Sequence, residues 1–147
     1  MKGLTMVFLL SVFIAIIILS MFFSKKDDFV NVKVGNASFK AEIADNFIER
    51  AKGLMFRKDM PQENGMFFVF PSENYYGFWM MNTSIPLDII WIGSNKTIVH
   101  IEKNAQPCLL NCTTYKPDEK AMYVLEINGN LAKKYDIKVG DKVSFKL

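Results

Sequence analysis

Tyr75, Tyr76, Phe78 and Trp79 place four aromatic side chains in five positions, just ahead of Asn82, Pro86 and Asp88. Aromatic faces beside an amide and a carboxylate are the materials of a surface that holds a small polar ligand such as a saccharide. The same residues have a structural reading. Asn82 and Asp88 flank a proline turn, where their side chains can cap backbone N–H groups, and Trp79 can be core. The stretch "ERAKGLMFR" adds Arg50 and Arg57, whose guanidinium forks suit carboxylates and phosphates. Arg50, on the helix, makes a salt bridge to the sheet, or the arginines make an anion clamp. Asp88 with Glu126 or Asp141 would supply the acid–base pair of a carboxylate hydrolase, if two of them met in a cleft.

Other chemistries find little material. The single histidine, His100, falls on an expected strand. No serine or cysteine sits in an elbow motif, and no glycine-rich loop joins a strand to a helix to cradle phosphate. Cys108 and Cys112 are the only cysteines, too few for a four-ligand structural zinc site. In a domain outside the cytoplasm, they are read as a small structural disulfide. No metal site and no cofactor is expected.

These groups must be carried by a folded unit, and the chain divides in two. Leu4–Phe23 is apolar except for Thr5, Ser11 and Ser20. A helix of that length spans about 30 Å, the thickness of a bilayer's hydrocarbon core. Phe22 and Phe23 stand where a signal-peptidase site would want small residues, which favours an uncleaved anchor. Residues 1–28 are therefore read as a membrane anchor with a short tether, and residues 29–147 as a β-rich globular domain. Lysines on both flanks leave the charge rule for orientation mute. The cysteine pair and four glycosylation sequons, at Asn36, Asn82, Asn95 and Asn111, point to a domain outside the cytoplasm. Of the 18 Lys and Arg, only Lys2 precedes the apolar run, and the rest are scattered against 15 Asp and Glu. Without a basic stripe or a nucleic-acid motif, nucleic acid is not an expected partner.

Within the domain, "FVNVKV" and "ASFKAEI" alternate about a Gly35-Asn36 turn, a strand–turn–strand signal. Asn46 with Glu49 forms a capping-box pattern ahead of a short helix, Phe47 to Lys52, that Gly53 would stop. "GMFFVF", "LDIIWI", "KTIVHIE", "AMYVLEI" and "DKVSFKL" read as further strands. "GNLAKKYDI" reads as a helical turn or two. About seven short strands with one or two short helices predict a mostly β (α+β) domain, a compact β-sandwich or a partly closed barrel, preceded by one transmembrane helix. The connections look too short for parallel crossovers.

"ERAKGLMFR", "GMFFVF", "FWMMNTSIPLDIIWI", "YVLEING" and "IKVGDKV" occur in this order in a prokaryotic family. Over about Val30 to Phe145 the chain resembles that family, the domain of unknown function DUF192. The resemblance implies a compact, mostly β domain, often behind an export signal or anchor, and implies no activity. Two departures stand out. Met81 replaces a usually basic residue, and the segment with Cys108 and Cys112 is longer than its common form.

Three functions stay open. The first is a membrane-anchored extracytoplasmic binding domain for a saccharide or an anion, with Arg50, Arg57, Trp79, Asn82, Asp88 and Glu126 as candidate binding residues. The second is a structural or assembly domain partnering another envelope protein. The third is a hydrolase using two carboxylates.

Overall fold

The computed structural model describes residues 29–147. The expected anchor, residues 1–28, lies outside the described residues. Among those described, no helix is long and apolar enough to cross a membrane.

Among the described residues, nine strands and two short helices follow one another: β1 (Phe29–Val34), β2 (Ala37–Ala44), α1 (Phe47–Lys52), β3 (Asn64–Asn74), β4 (Phe78–Trp79), β5 (Leu87–Ile92), β6 (Ile98–Ala105), β7 (Thr114–Tyr115), β8 (Ala121–Asn128), α2 (Leu131–Lys134) and β9 (Val143–Ser144). Seven form one sheet in the order β6-β5-β8-β3-β2-β1-β9, and β4 pairs with β7 apart from it. This is not a two-sheet sandwich. The sheet curls into a half-barrel, and its two edge strands approach at one end. There Ile98 N donates to Asp141 O at 3.0 Å, and Val143 N donates to Lys96 O at 2.9 Å.

Local chemistry sets the first elements. The alternation of β1 and β2 becomes an antiparallel hairpin with Val32 opposite Phe39 and Val34 opposite Ala37. Gly35 takes φ 54° in the turn, a conformation that costs glycine little. Glu49 N donates to Asn46 Oδ1 at 3.0 Å, capping α1 as the sequence pattern predicts. Glu49 in turn accepts from Asp45 N, one residue earlier than the capping box would have it.

Parallel pairing does occur, contrary to the expectation from connection length. β2 and β3 run parallel, with Ala41 opposite Gly65. Residues 45–63 are long enough to carry the chain back across the sheet, and α1 lies in that crossover. β3 also runs further than its apolar core suggests, through Pro71 to Asn74, with a register shift after Val69. The irregularity accommodates the proline.

Both faces of the sheet are covered, which explains why all six residues of β5 are buried. Ile90, Ile92, Leu125 and Ile127 enter the concave core with Val32, Phe39, Phe67 and Phe145. Leu87, Ile89, Trp91 and Val124 enter a second core on the other face with Leu54, Met66, Phe68 and Met80. That second face carries the cleft.

Candidate functional site

Glu126 lies at the centre of the second face. Its strand, β8, runs between β5 and β3, and in register it meets Ile89 on one side and Met66 on the other. The residue is 4% exposed. With apolar neighbours on both sides, burial pushes its carboxyl up to about 8. None of the hydrogen bonds among the described residues engages that carboxyl. It is therefore a neutral acid at pH 7 with its hydrogen-bonding capacity unspent. Close approach of β3 to β8 depends on Gly65, where a Cβ would stand 2.5 Å from the Glu126 carbonyl oxygen.

Over Glu126 opens a cleft of about 250 Å³ whose lining includes Phe47, Arg50, Phe70, Tyr76, Trp79 and Thr83. One wall is α1 and the turn after it; the other is the segment through β4. None of the residues of α1 is buried, so the helix lies over the sheet without sinking into it. Trp79 is 48% exposed and forms rim rather than core. The aromatic wall is braced from behind. Phe70 stacks on Tyr76 with centroids 3.6 Å apart, and Phe78 packs edge-on against Phe68 at 4.8 Å. Trp91 Nε1 donates to Tyr76 O at 2.8 Å, tying the wall to β5.

The candidate residues read from sequence separate into those that reach the cleft and those that do not. Arg50, Trp79 and Glu126 line it. Arg50 is already engaged, donating to the carbonyl oxygens of Asp45 and Val69, with its guanidinium carbon 5.2 Å from the Phe70 ring centroid. Arg57 sits in a neighbouring groove with Phe29 and Phe56, where it grips Glu42 with two hydrogen bonds of 2.6 and 2.8 Å. The salt bridge to the sheet that was expected of Arg50 is made instead by Arg57, just past the helix.

Asp88 faces the other way. It pairs in register with Ile127, a residue of the concave core, whereas Glu126 pairs with Ile89 of the opposite core. The two carboxylates thus leave opposite faces of one sheet and form no acid–base pair. Asp88 is fully buried and accepts three backbone N–H groups: Asn104 at 2.7 Å, Asn130 at 3.0 Å and Ala132 at 2.6 Å. It caps the start of α2, although Asn130 precedes that helix. Asp141, the other carboxylate considered, accepts from Lys138 N at 2.8 Å.

Asn82 acts through its backbone. It takes φ 55°, donates its N–H to Cys108 O and accepts from Phe56 N at 2.7 Å. Asparagine tolerates that left-handed conformation better than most residues. Cys108 and Cys112 sit at disulfide distance, with Cα atoms 5.6 Å apart. Their loop is thereby fastened to the turn that carries Thr83. His100 pairs with Asp118 at 2.9 Å, away from the cleft.

Sequence reasoning placed Tyr76 on the aromatic surface and missed Phe47, Phe70 and Thr83 as parts of the same lining. Phe47 left a signal, since it opens a capped helix whose residues show no buried stripe.

A family model described as DUF192, Uncharacterized ACR, matches residues 30–145. A UPF0127 protein of Pyrococcus abyssi is 35% identical over 111 residues, covering 72% of this chain and 86% of its own length. The crystal structure of a protein of unknown function from Novosphingobium aromaticivorans is 41% identical with a TM-score of 0.75, covering 79% of this chain and 84% of that one. A second crystal structure, of a candidate transcription regulator from Sinorhizobium meliloti, is 31% identical with a TM-score of 0.71, covering 80% and 92%.

Proposed function

The chain belongs to the DUF192 family, and we propose that its domain is a binding module, held at a membrane outside the cytoplasm, for one small ligand in the cleft over Glu126. The observation that carries this reading is the Glu126 carboxyl: buried, without a partner among the described residues, and at the floor of an aromatic-walled opening. No fully buried side-chain oxygen or nitrogen among the described residues lacks a partner, so the Glu126 oxygens open to the cleft, where a ligand can supply the partner that the described fold does not. The ligand presents an apolar or flat face to the aromatic wall and a polar group to Glu126. A sugar ring and a small organic ammonium both fit that description. An inorganic anion fits poorly, because Arg50 and Arg57 are already engaged.

The membrane location rests on the apolar run Leu4–Phe23 and on a cysteine pair at disulfide distance. Carbonate washing of membranes should leave the full chain in the pellet and release a chain lacking residues 1–28. Release of both would remove the anchor from the proposal.

The binding reading is tested by thermal shift of the full chain against sugars, organic acids, amines and nucleotides, with Glu126→Gln in parallel. A ligand that binds only the folded state raises stability by about 3 kcal/mol at a hundredfold excess over its dissociation constant. The expected result is a shift in the native chain that disappears in a folded Glu126→Gln variant. No shift with any compound, in protein that melts cooperatively, would end the reading.

A second reading has its own observation. Phe47, Ile48 and Phe56 are exposed on α1 and the turn that follows, and Leu109 and Leu110 are exposed on the cysteine loop. Exposed apolar side chains in groups mark contact surfaces, which favours docking to an envelope protein. A photoreactive residue at position 48 should then give one discrete cross-linked product in intact cells. A smear or none would remove this reading.

A further inference from the structure

We propose that the cleft's ligand is a small organic ammonium, its cationic head set between the Glu126 carboxyl and the aromatic rings; the proposal rests on the reading of the cleft as a ligand site. The first argument is an inventory of what the lining can still offer. A sugar needs several hydrogen-bonding side chains in fixed geometry, and two of those in the lining, Arg50 and Tyr76, are already spent. Arg50 is held by two carbonyl oxygens. The Tyr76 hydroxyl donates to Ser72 O at 2.8 Å. Thr83 keeps its hydroxyl with only a long contact to Met81 O, at 3.5 Å. Glu126 is the one carboxyl, and it is unspent. A ligand that needs a single counter-charge and aromatic surface matches this inventory better than one that needs many polar contacts.

The second argument is the wall. Phe47, Phe68, Phe70, Tyr76, Phe78 and Trp79 line the cleft, and ring faces attract cations through their quadrupole. The wall already holds one cation in this way, the Arg50 guanidinium over Phe70. The third argument is size. At about 250 Å³ the cleft is small for an organic ligand site. A trimethylammonium head with a short tail fits where a disaccharide does not.

Charge closes the account. The charged or titratable residues of the lining other than Glu126 are Arg50 and Lys52 on α1 and Tyr76 before β4. On the flanking strands, Met66 and Ile89 face Glu126 and do not titrate. Arg50 is bound to carbonyls, and Lys52 is exposed to solvent, which screens it. An incoming cation offsets the burial that keeps Glu126 protonated. Binding therefore converts the Glu126 carboxylic acid to a carboxylate and releases one proton to solvent.

Choline chloride is the probe, titrated calorimetrically into the full chain at pH 6, 7, 8 and 9, with sodium chloride as the ionic-strength control. Choline does not titrate in this range, so the pH dependence belongs to the protein. Glu126 titrates near 8, so affinity should rise about a hundredfold from pH 6 to pH 9, as the binding-competent fraction grows. The neutral carbon isostere 3,3-dimethylbutanol should bind at least tenfold more weakly at pH 9. Glu126→Gln, confirmed folded by its melting curve, should lose both the binding and the pH slope. Trp79→Leu should weaken binding and keep the slope. Choline binding without a pH slope, equal binding of the isostere, or no choline binding at any pH each overturns the proposal. If choline fails while a sugar shifts the melting of the native chain and not of Glu126→Gln, the ammonium is wrong and the cleft is still a site. If nothing binds, both fall together.

Discussion

Asp88 and Glu126 sit on neighbouring central strands, one residue out of register, and both are buried. Their surroundings are opposite. Asp88 is surrounded by backbone N–H groups from three positions, all donated to it. Glu126 has hydrocarbon on both sides and an opening above. The first carboxylate joins the end of β6 to the start of α2. The second holds no other group among the described residues. Burial alone does not separate structure from function here; the count of partners does. A carboxylate whose acceptor capacity is used by the fold belongs to the fold, and one left unused is available to something else.

The comparison breaks most sharply at Asp88. Asp88→Ala orphans three buried or partly buried N–H donors and should cost about 5 kcal/mol, since each hydrogen bond to a charged group contributes about 1.5–3. Urea unfolding at pH 7 measures it. A loss under about 1 kcal/mol would mean these bonds do not hold the region together.

Glu126 should act with the opposite sign. Its folded carboxyl titrates near 8 instead of 4.5, so the native state holds a proton that the unfolded state releases. Stability from this group is fully present below 4.5 and is lost as pH rises to 8, by about 4 kcal/mol. Glu126→Gln should flatten that decline, leaving the variant more stable than the native chain at pH 8 and close to it at pH 4.5. Parallel slopes for the two proteins would show that Glu126 is not the buried neutral acid described.

Reducing the cysteine pair touches neither carboxylate. Opening so short a loop should cost about 2 kcal/mol, read as a lower melting temperature in reductant that Cys108→Ser/Cys112→Ser reproduces. A melting curve indifferent to reductant would show the pair contributes nothing. Smallest is Arg57→Lys. Its pair with Glu42 is about a third exposed on each side, so losing the two-pronged geometry should cost about 0.5 kcal/mol. Double-mutant unfolding with Glu42→Gln isolates that pair. A coupling above about 2 kcal/mol would mean the groove is drier than its exposure implies.

Short-range pattern made the hairpin, the capped helix and the fully buried β5 legible from residues alone. Asn46 and Glu49 lie within one helical turn, and Gly35 within one loop, so local chemistry decides them. The direction in which Glu126 points is a different kind of fact. It depends on the β5–β8 register between residues some forty positions apart, and a slip of one would send it into the concave core. Arg50 looked like a free cation because its acceptors, the carbonyls of Asp45 and Val69, carry no side-chain signature. The parallel β2–β3 pair was hidden for a similar reason. Residues 45–63 read as a short helix and a loop, and nothing local shows that the chain crosses the sheet there.

One consequence follows from the edges that meet where Lys96–Ile98 bonds Asp141–Val143. A curled sheet with both rims open would offer two templates on which another chain could add a strand, the usual route to fibrils. At this end each rim occupies the other. Among the described residues, strand addition is left to residues 29–32 of β1, which the short β9 does not reach, and to the far half of β6, where Glu102 and Lys103 put charge beside the edge. For a protein concentrated in two dimensions at a membrane, as proposed here, the same closure is a safeguard against neighbours knitting into one continuous sheet.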